Sequence, residues 1–227
     1  RITEETTIPW IRLLYCYPDK ITDELIEEFK TNPRLLKYID LPLQHISDRM
    51  LKAMNRHGNG ALIREVLAKI KKESRNGNVR AIGECGIDRL HSPATIEIQK
   101  EVFKAHALLA EEVRKPLIIH CVKGFDEIMA IRKEIAPEQA WIIHGFRGKP
   151  QQAEQLIKEG FYISFGEKFN IDSLKAVPME KLFIESDESK TSINDIYTLI
   201  AEARGCSVEK LALAVMQNVE KVSVHTI

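Results

Sequence analysis

Short apolar runs alternate with amphipathic segments along the chain. Seven of these runs have the length and composition of β-strands, and their apolar residues are largely continuous rather than alternating. They lie at residues 10–15, 38–41, 79–84, 116–120, 141–144, 160–165 and 181–185. Continuous apolar strands separated by helices are typical of a parallel sheet that is covered by helices. The pattern therefore predicts an α/β fold.

The segments between the runs have the periodicity of helices. Ser47 is a good N-cap for one of them, and Pro150 suits the first turn of another. Helices are predicted at residues 22–30, 47–54, 61–72, 95–113, 125–135, 150–159, 193–203 and 208–222. A turn is predicted at residues 76–78, where the sequence is Asn-Gly-Asn.

Polar side chains recur at or just after the carboxyl ends of four predicted strands, at Glu84, His120, His144 and Asp187. In a barrel these ends meet at one mouth, whereas in an open, doubly wound sheet they would be spread along an edge. We therefore expect a (β/α) TIM-type barrel with seven clear strands, and keep the doubly wound sheet as the alternative. The tail at residues 223–227 alternates β-branched and polar residues, and is either an eighth strand or a disordered terminus.

These four side chains also have the chemistry of metal ligands. Imidazole nitrogens and carboxylate oxygens bind zinc, manganese, iron or magnesium. Taken one at a time, each has an ordinary alternative: a polar core or loop position for a histidine, a helix cap for Glu84, a turn for Asp187. Together, Glu84, His120, His144 and Asp187 predict a divalent-metal site (Zn, Mn or Mg), with Glu84 and Asp187 as the catalytic residues.

Four further residues follow the candidate ligands closely. Cys85 and Cys121 are expected to be small buried hydrophobic residues rather than ligands. Lys123 and Arg147 would place positive charge at the mouth, which suits a phosphate substrate, or are ordinary solvated loop charges.

Composition excludes several classes of protein. Lys and Arg total 33 and Asp and Glu total 33, so the net charge is zero, which argues against a strongly basic nucleic-acid binder but not against a small basic cleft. No apolar run approaches the roughly 20 residues that span a bilayer, so no membrane partner is expected. The four cysteines lie far apart, as in a reduced cytoplasmic protein.

Six short motifs occur in a particular order in the second part of the chain, at residues 82–88, 99–103, 116–120, 143–148, 160–164 and 185–187. In this order they resemble the TatD family of metal-dependent deoxyribonucleases, from about residue 79 to residue 222. The resemblance implies a barrel that hydrolyses DNA or another phosphodiester. It also implies that Glu84 bridges two metals, that His120 and His144 hold one of them, and that Asp187 serves the other metal and the attacking water.

Two departures from that family stand out. The family carries a His-x-His pair on its first strand, and no His-x-His occurs anywhere in this sequence. Glu188-Ser189 also stands where the family often has Ser-Pro. The resemblance therefore leaves one half-site formed by Glu84, His120 and His144, and only Asp187 for the other half.

The beginning of the chain has different motifs, at residues 10–12, 17–18, 38–45 and 54–56. They resemble radical-SAM methylthiotransferases of the RimO type. The Cys-x-x-x-Cys-x-x-Cys motif that ligates the iron–sulfur cluster of those enzymes is absent, and Cys16 stands alone. We therefore expect no iron–sulfur cluster, no S-adenosylmethionine and no radical chemistry.

A join between residues 73 and 78 would combine two βα units of one barrel (residues 1–75) with the βα units of another (residues 76–227). This predicts a single barrel that is an engineered chimera, with a remnant metal site and little or no native activity. The alternative is a working TatD-type hydrolase in which His45 replaces a lost ligand; a binding scaffold has no positive support. An incomplete barrel would expose a strand edge through which a homodimer could form.

Overall fold

The computed structural model describes residues 2–13, 16, 18–39, 61–62, 65–66, 68–69, 72, 81–92 and 94–223. The described residues form two parallel sheets. The first sheet pairs β1 (Ile11–Leu13) with β2 (Leu35–Ile39). The second has five strands in sequential order: β3 (Ile82–Asp88), β4 (Leu117–Val122), β5 (Trp141–Ile143), β6 (Tyr162–Phe165) and β7 (Leu182–Ile184).

Helices separate the strands, as a parallel sheet requires. They are α1 (Ile2–Glu5), α2 (Asp23–Thr31), α3 (Ile96–Val113), α4 (Phe125–Ile135), α5 (Pro150–Lys158), α6 (Ile171–Ala176), α7 (Ile193–Arg204) and α8 (Val208–Ser223). Single 3-10 turns lie at Pro18–Lys20 and Met179–Lys181. The hydroxyls of Thr22, Thr95 and Ser192 accept backbone N–H groups at the starts of α2, α3 and α7.

A strand is found at each of the seven predicted places, but β2 begins three residues before the predicted strand at 38–41, and residues 40 and 41 lie outside the described residues. From β3 onwards, the described strands alternate with helices as predicted. Further details also differ. The short helices α1 and α6 were not expected, and β3 continues past Glu84 to Asp88. Ser223 is the last residue of α8 and not the start of a strand, since the helical hydrogen bonding continues to that point. Residues 224–227, the predicted helix at 47–54, His45 and the predicted join at 73–78 lie outside the described residues.

The main core lies against one face of the five-stranded sheet. Ile119, Ile143 and Ile163 of the central strands are fully or almost fully buried and belong to one cluster with apolar residues of α3, α4, α5 and α7. On the other face, Ile142, Tyr162 and Phe183 form a second cluster with Val215 and Val222 of α8. Burial on both faces explains why these strands are continuously apolar.

Of the polar residues predicted from the sequence, Glu84 and His120 lie within β3 and β4, whereas His144 and Asp187 follow the ends of β5 and β7. None of the described helices has the length and apolar character needed to cross a bilayer.

Candidate metal centre

Glu84 and His120 lie on neighbouring strands that approach each other closely. Glu84 is the third residue of β3, and two glycines, Gly83 and Gly86, flank the Glu84-Cys85 pair. A Cβ atom at Gly83 would collide with the carbonyl oxygen of Ile118, and one at Gly86 with that of His120. The Gly-Glu-Cys-Gly segment is therefore the sequence that lets β3 lie against β4 with Glu84 beside His120.

Three ligand atoms converge at this edge of the sheet. Glu84 Oε1 is 2.6 Å from His144 Nε2 and 3.0 Å from His120 Nδ1. His120 Nδ1 and His144 Nε2 are 3.2 Å apart. Glu84 and both histidines are partly buried, as a ligand set that is still open to substrate should be.

This donor set fits a divalent metal. Ligands bound at about 2.1 Å from a zinc ion in tetrahedral geometry stand about 3.4 Å apart, and the three atoms are already close to that spacing. Two histidines and one glutamate also form the ligand set of several catalytic zinc sites, in which a further position is left for water or substrate. Glu84, His120 and His144 could therefore hold a metal after small side-chain shifts.

Two more carboxylates contact the outer nitrogens of the same histidines, that is, the ring nitrogens that do not face Glu84. Asp88 Oδ2 lies 3.2 Å from His120 Nε2, and Glu185 Oε1 lies 3.3 Å from His144 Nδ1. Neither carboxylate was among the residues predicted for the site. Asp88 is the last residue of the motif at 82–88, and Glu185 is the first residue of the motif at 185–187. Both therefore lie within motifs that the sequence analysis identified, although neither was predicted as a site residue.

The close pairing of carboxylates with imidazoles perturbs the pKa values of both. Burial favours a higher pKa for Glu84, but the hydrogen bonds and positive charge of His120 and His144 outweigh it and lower the pKa to about 2. Burial favours a lower pKa for His144, but hydrogen bonds to Glu185 and Glu84 raise it to about 10. The hydrogen bond to Glu84 raises the pKa of His120 against the effect of burial. Without a metal, the site therefore retains protons that a divalent cation would displace.

Asp187 lies beside these residues but is more exposed. It adopts a positive φ of 44° and lies three residues after β7 ends at Ile184. His144, Glu185 and Asp187 form a second group whose ligand atoms all lie within 4.8 Å of one another. All four predicted site residues are therefore near each other, with Asp187 on the Glu185 side of His144.

The two cysteines lie where the sequence predicts, whereas the roles of Lys123 and Arg147 stay predictions. Cys85 lies in the main core and Cys121 packs against it, and burial raises the pKa of both thiols, that of Cys121 to about 12. Lys123 and Arg147 are exposed, so they remain available to a charged substrate.

Comparison with known proteins identifies the larger part of the chain. A family model described as TatD related DNase matches residues 49–223. The chain belongs to this TatD family. This match begins at residue 49, whereas the TatD-like motifs seen in the sequence begin only at about residue 79.

Solved structures of TatD proteins share the fold. YJJV, a TatD homologue of Escherichia coli K12, superposes with a TM-score of 0.76 at 19% identity, covering 95% of this chain and 86% of that chain. A TatD family hydrolase of Entamoeba histolytica has a TM-score of 0.65 at 18% identity, covering 88% and 79% of the two chains. At these identities the likeness shows the fold alone, and it confirms the TIM-type (β/α) fold class.

Curated relatives show the second resemblance. Ribosomal protein uS12 methylthiotransferase RimO of Thermoanaerobacter sp. (strain X514) is 53% identical over 215 residues, covering 84% of this chain and 47% of RimO. The RimO of Clostridium tetani is 54% identical over 80 residues, covering 35% of this chain and 18% of that protein. The chain thus spans less than half the length of these two relatives. The predicted mixture of TatD-like and RimO-like sequence is confirmed.

Proposed function

We propose that this protein binds one divalent metal ion through Glu84, His120 and His144 and hydrolyses phosphodiester bonds in DNA with it. The convergence of the three ligand atoms within 3.2 Å of one another supports this proposal. Membership of a family described as TatD related DNase supports the choice of substrate.

The roles follow from the placement of each residue. A metal at this site would acidify a bound water and polarise a phosphate oxygen. Asp187, whose carboxylate lies beside the ligand His144 in the second group, accepts a proton from the water as its oxygen bonds to phosphorus. The P–O bond to the leaving oxygen breaks, and that oxygen takes a proton from solvent. Lys123 and Arg147, both exposed, contact substrate phosphates and so position the DNA.

A remnant metal site with little or no turnover is the second candidate. It is favoured by the sequence, which contains no His-x-His pair to complete the two-metal centre of the TatD family. This candidate goes with the proposal that residues 1–75 and 76–227 are fragments of two barrels that were joined by engineering. A natural reading frame that encodes the whole chain would contradict that origin.

Metal titration and a nuclease assay test the two candidates together. In zinc- or manganese-loaded protein, Glu84→Ala is expected to weaken metal binding at least about 100-fold, because it removes a ligand, and to abolish DNA cleavage. Asp187→Asn is expected to retain the metal and lose cleavage.

Glu154→Gln, an exposed position on α5, is the matched control and should leave both properties unchanged. Cleavage that survives Glu84→Ala would refute the proposed centre. Metal binding by the wild-type chain without any cleavage would establish the remnant site instead.

A further inference from the structure

The two histidines of the candidate centre present different ring nitrogens to Glu84. His120 faces Glu84 Oε1 with Nδ1 at 3.0 Å, whereas His144 faces it with Nε2 at 2.6 Å. A neutral imidazole has one N–H and one lone pair, and only the nitrogen with the lone pair can bind a metal. Both histidines can bind the same ion only if they adopt opposite tautomers.

Each outer nitrogen meets a different carboxylate. His120 Nε2 is 3.2 Å from Asp88, and His144 Nδ1 is 3.3 Å from Glu185. An ionised carboxylate accepts hydrogen bonds and cannot donate them, so it holds the proton on the nitrogen that faces it. Each carboxylate therefore favours the tautomer whose lone pair points towards Glu84.

Asp88 is itself held in place by its neighbours. Its Oδ1 accepts the backbone N–H groups of Leu90 and His91, both at 2.8 Å. Its own N–H donates to the buried side chain of Gln99 at 2.7 Å, and Gln99 in turn donates to the carbonyl of Ala94. These contacts leave Oδ2 of Asp88 directed at His120 and His91.

Glu185 is held by the sheet. Its backbone N–H donates to the carbonyl oxygen of Phe165 at 3.1 Å, which extends the pairing of β6 with β7. Gly145 lies next to its carboxylate, and a Cβ at that position would stand 3.5 Å from Glu185 Oε1. The side chains of Asp88 and Glu185 are only 14% and 18% exposed, so water competes poorly for their hydrogen bonds.

We propose that Asp88 and Glu185 are positioning residues that select opposite tautomers, Nε2–H in His120 and Nδ1–H in His144, so that both lone pairs meet Glu84 on one metal ion. This inference rests on the proposed metal centre and adds to it the residues that prepare its ligands. Carboxylates behind ligating histidines typically contribute 10–100-fold to metal affinity.

The rival role for Glu185 is direct ligation of a second ion with Asp187 and His144. In that arrangement His144 would bind metals through both nitrogens and would have to lose its last ring proton. The hydrogen bond between His144 Nδ1 and Glu185 keeps that proton, which favours the positioning role.

Calorimetric titration with zinc tests the inference in the full chain. Asp88→Asn and Glu185→Gln are each expected to weaken zinc binding about 10–100-fold, because the new amide can donate to the histidine and stabilise the wrong tautomer. Glu154→Gln is the control and should bind zinc as the wild type does. Circular dichroism of the metal-free proteins checks folding, and if one variant does not fold, the other carries the test.

Nitrogen-15 NMR of the zinc-loaded protein separates positioning from a merely structural role. The wild type is expected to show His120 bound through Nδ1 and His144 through Nε2, and the variants to lose that pattern at the affected histidine alone. Variants that bind zinc within twofold of the wild type, or a wild type that binds two zinc ions with one lost in Asp187→Asn, would overturn the inference. A wild type that binds no zinc would overturn the metal centre itself.

Discussion

The described residues pack very differently around the two sheets. In the N-terminal region (residues 2–39), the described parts of β1 and β2 have three and five residues, and α2 buries none of its residues. In the C-terminal region (residues 81–223), five strands are covered by helices and share a continuous core. A five-stranded sheet with a close-packed core holds its side chains rigidly.

The difference shows where a site can be built. Metal ligands must be held within a fraction of an ångström, and that requires strands whose positions are set by packing. All the described residues of the candidate centre lie in the C-terminal region. The N-terminal region, which carries the first motifs of the RimO type, contributes no described residue to the centre.

The largest effect is expected from a pair of matched core substitutions. Leu117 and Leu35 are the first residues of β4 and β2, and both are buried. Leu117→Ala should lower the free energy of unfolding by about 3–5 kcal/mol, because the close-packed core cannot collapse into the cavity, and Leu35→Ala by about 2 kcal/mol or less. Chemical denaturation followed by circular dichroism measures both, and equal costs would remove the contrast between the regions.

A smaller effect is expected from two arginines. Arg132 donates from Nε to the carbonyl of Glu159 at 2.8 Å, and its guanidinium lies 4.8 Å from the ring centroid of Phe161 and 5.3 Å from that of Trp141. Arg132→Ala should cost about 2 kcal/mol, since it removes the hydrogen bond and the ring contacts together.

Arg34 is the matched residue of the N-terminal region, where its Nη1 donates to the carbonyls of Thr6 and Ile8 at 2.7 and 3.2 Å. Arg34→Ala should cost about 1 kcal/mol, because it loses hydrogen bonds and makes no ring contact with the described residues. Denaturation midpoints give the two values. A larger loss for Arg34 than for Arg132 would contradict the ranking.

The last effect depends on pH rather than on a lost contact. Burial of His106 on α3 lowers its pKa, against the effect of its hydrogen bond to the carbonyl of Val102. As the pH falls below the unfolded value of about 6.5, the unfolded chain takes up a proton that the folded chain excludes, so stability decreases with falling pH. The contribution of this one group has a slope of at most about 1.4 kcal/mol per pH unit.

His106→Gln keeps a donor for Val102 and removes the titration. The stability of the wild type minus that of this variant should therefore fall between pH 7 and pH 5, as measured by thermal melts. Fluorescence of Trp141 in a Trp10→Phe background reports on the C-terminal region, because Trp141 is buried there and Trp10 is the other tryptophan of the chain. A pH-independent difference would show that His106 is not titrated on unfolding.

Much of the fold follows from local pattern. The positions of the seven strands and of most helices are visible in runs and periodicities of apolar residues, because each element must bury a continuous face or stripe. The predicted helix starts at 22 and 95 were within one residue of the observed ones, where Thr22 and Thr95 cap α2 and α3 through a local interaction. The short helix α6 was not predicted, because its six residues contain too few apolar positions to show the helical period.

The chemical site was only partly visible. Sequence named Glu84, His120, His144 and Asp187 from their positions near strand ends, and the structure brings them together, while their roles stay predictions. It did not name Asp88, because β3 was expected to end at Glu84, four residues too early.

By itself, the sequence determined the α/β pattern, the two family resemblances and which strand ends carry ligand-type side chains. Only the tertiary structure decided which nitrogen of each histidine faces Glu84 and which carboxylate stands behind it. Residue pairs such as His120 with Asp88 and His144 with Glu185 are 32 and 41 positions apart in the chain. Their contacts depend on the register between parallel strands, and that register is set by helix packing and by the close approach at Gly83 and Gly86, which no local pattern encodes.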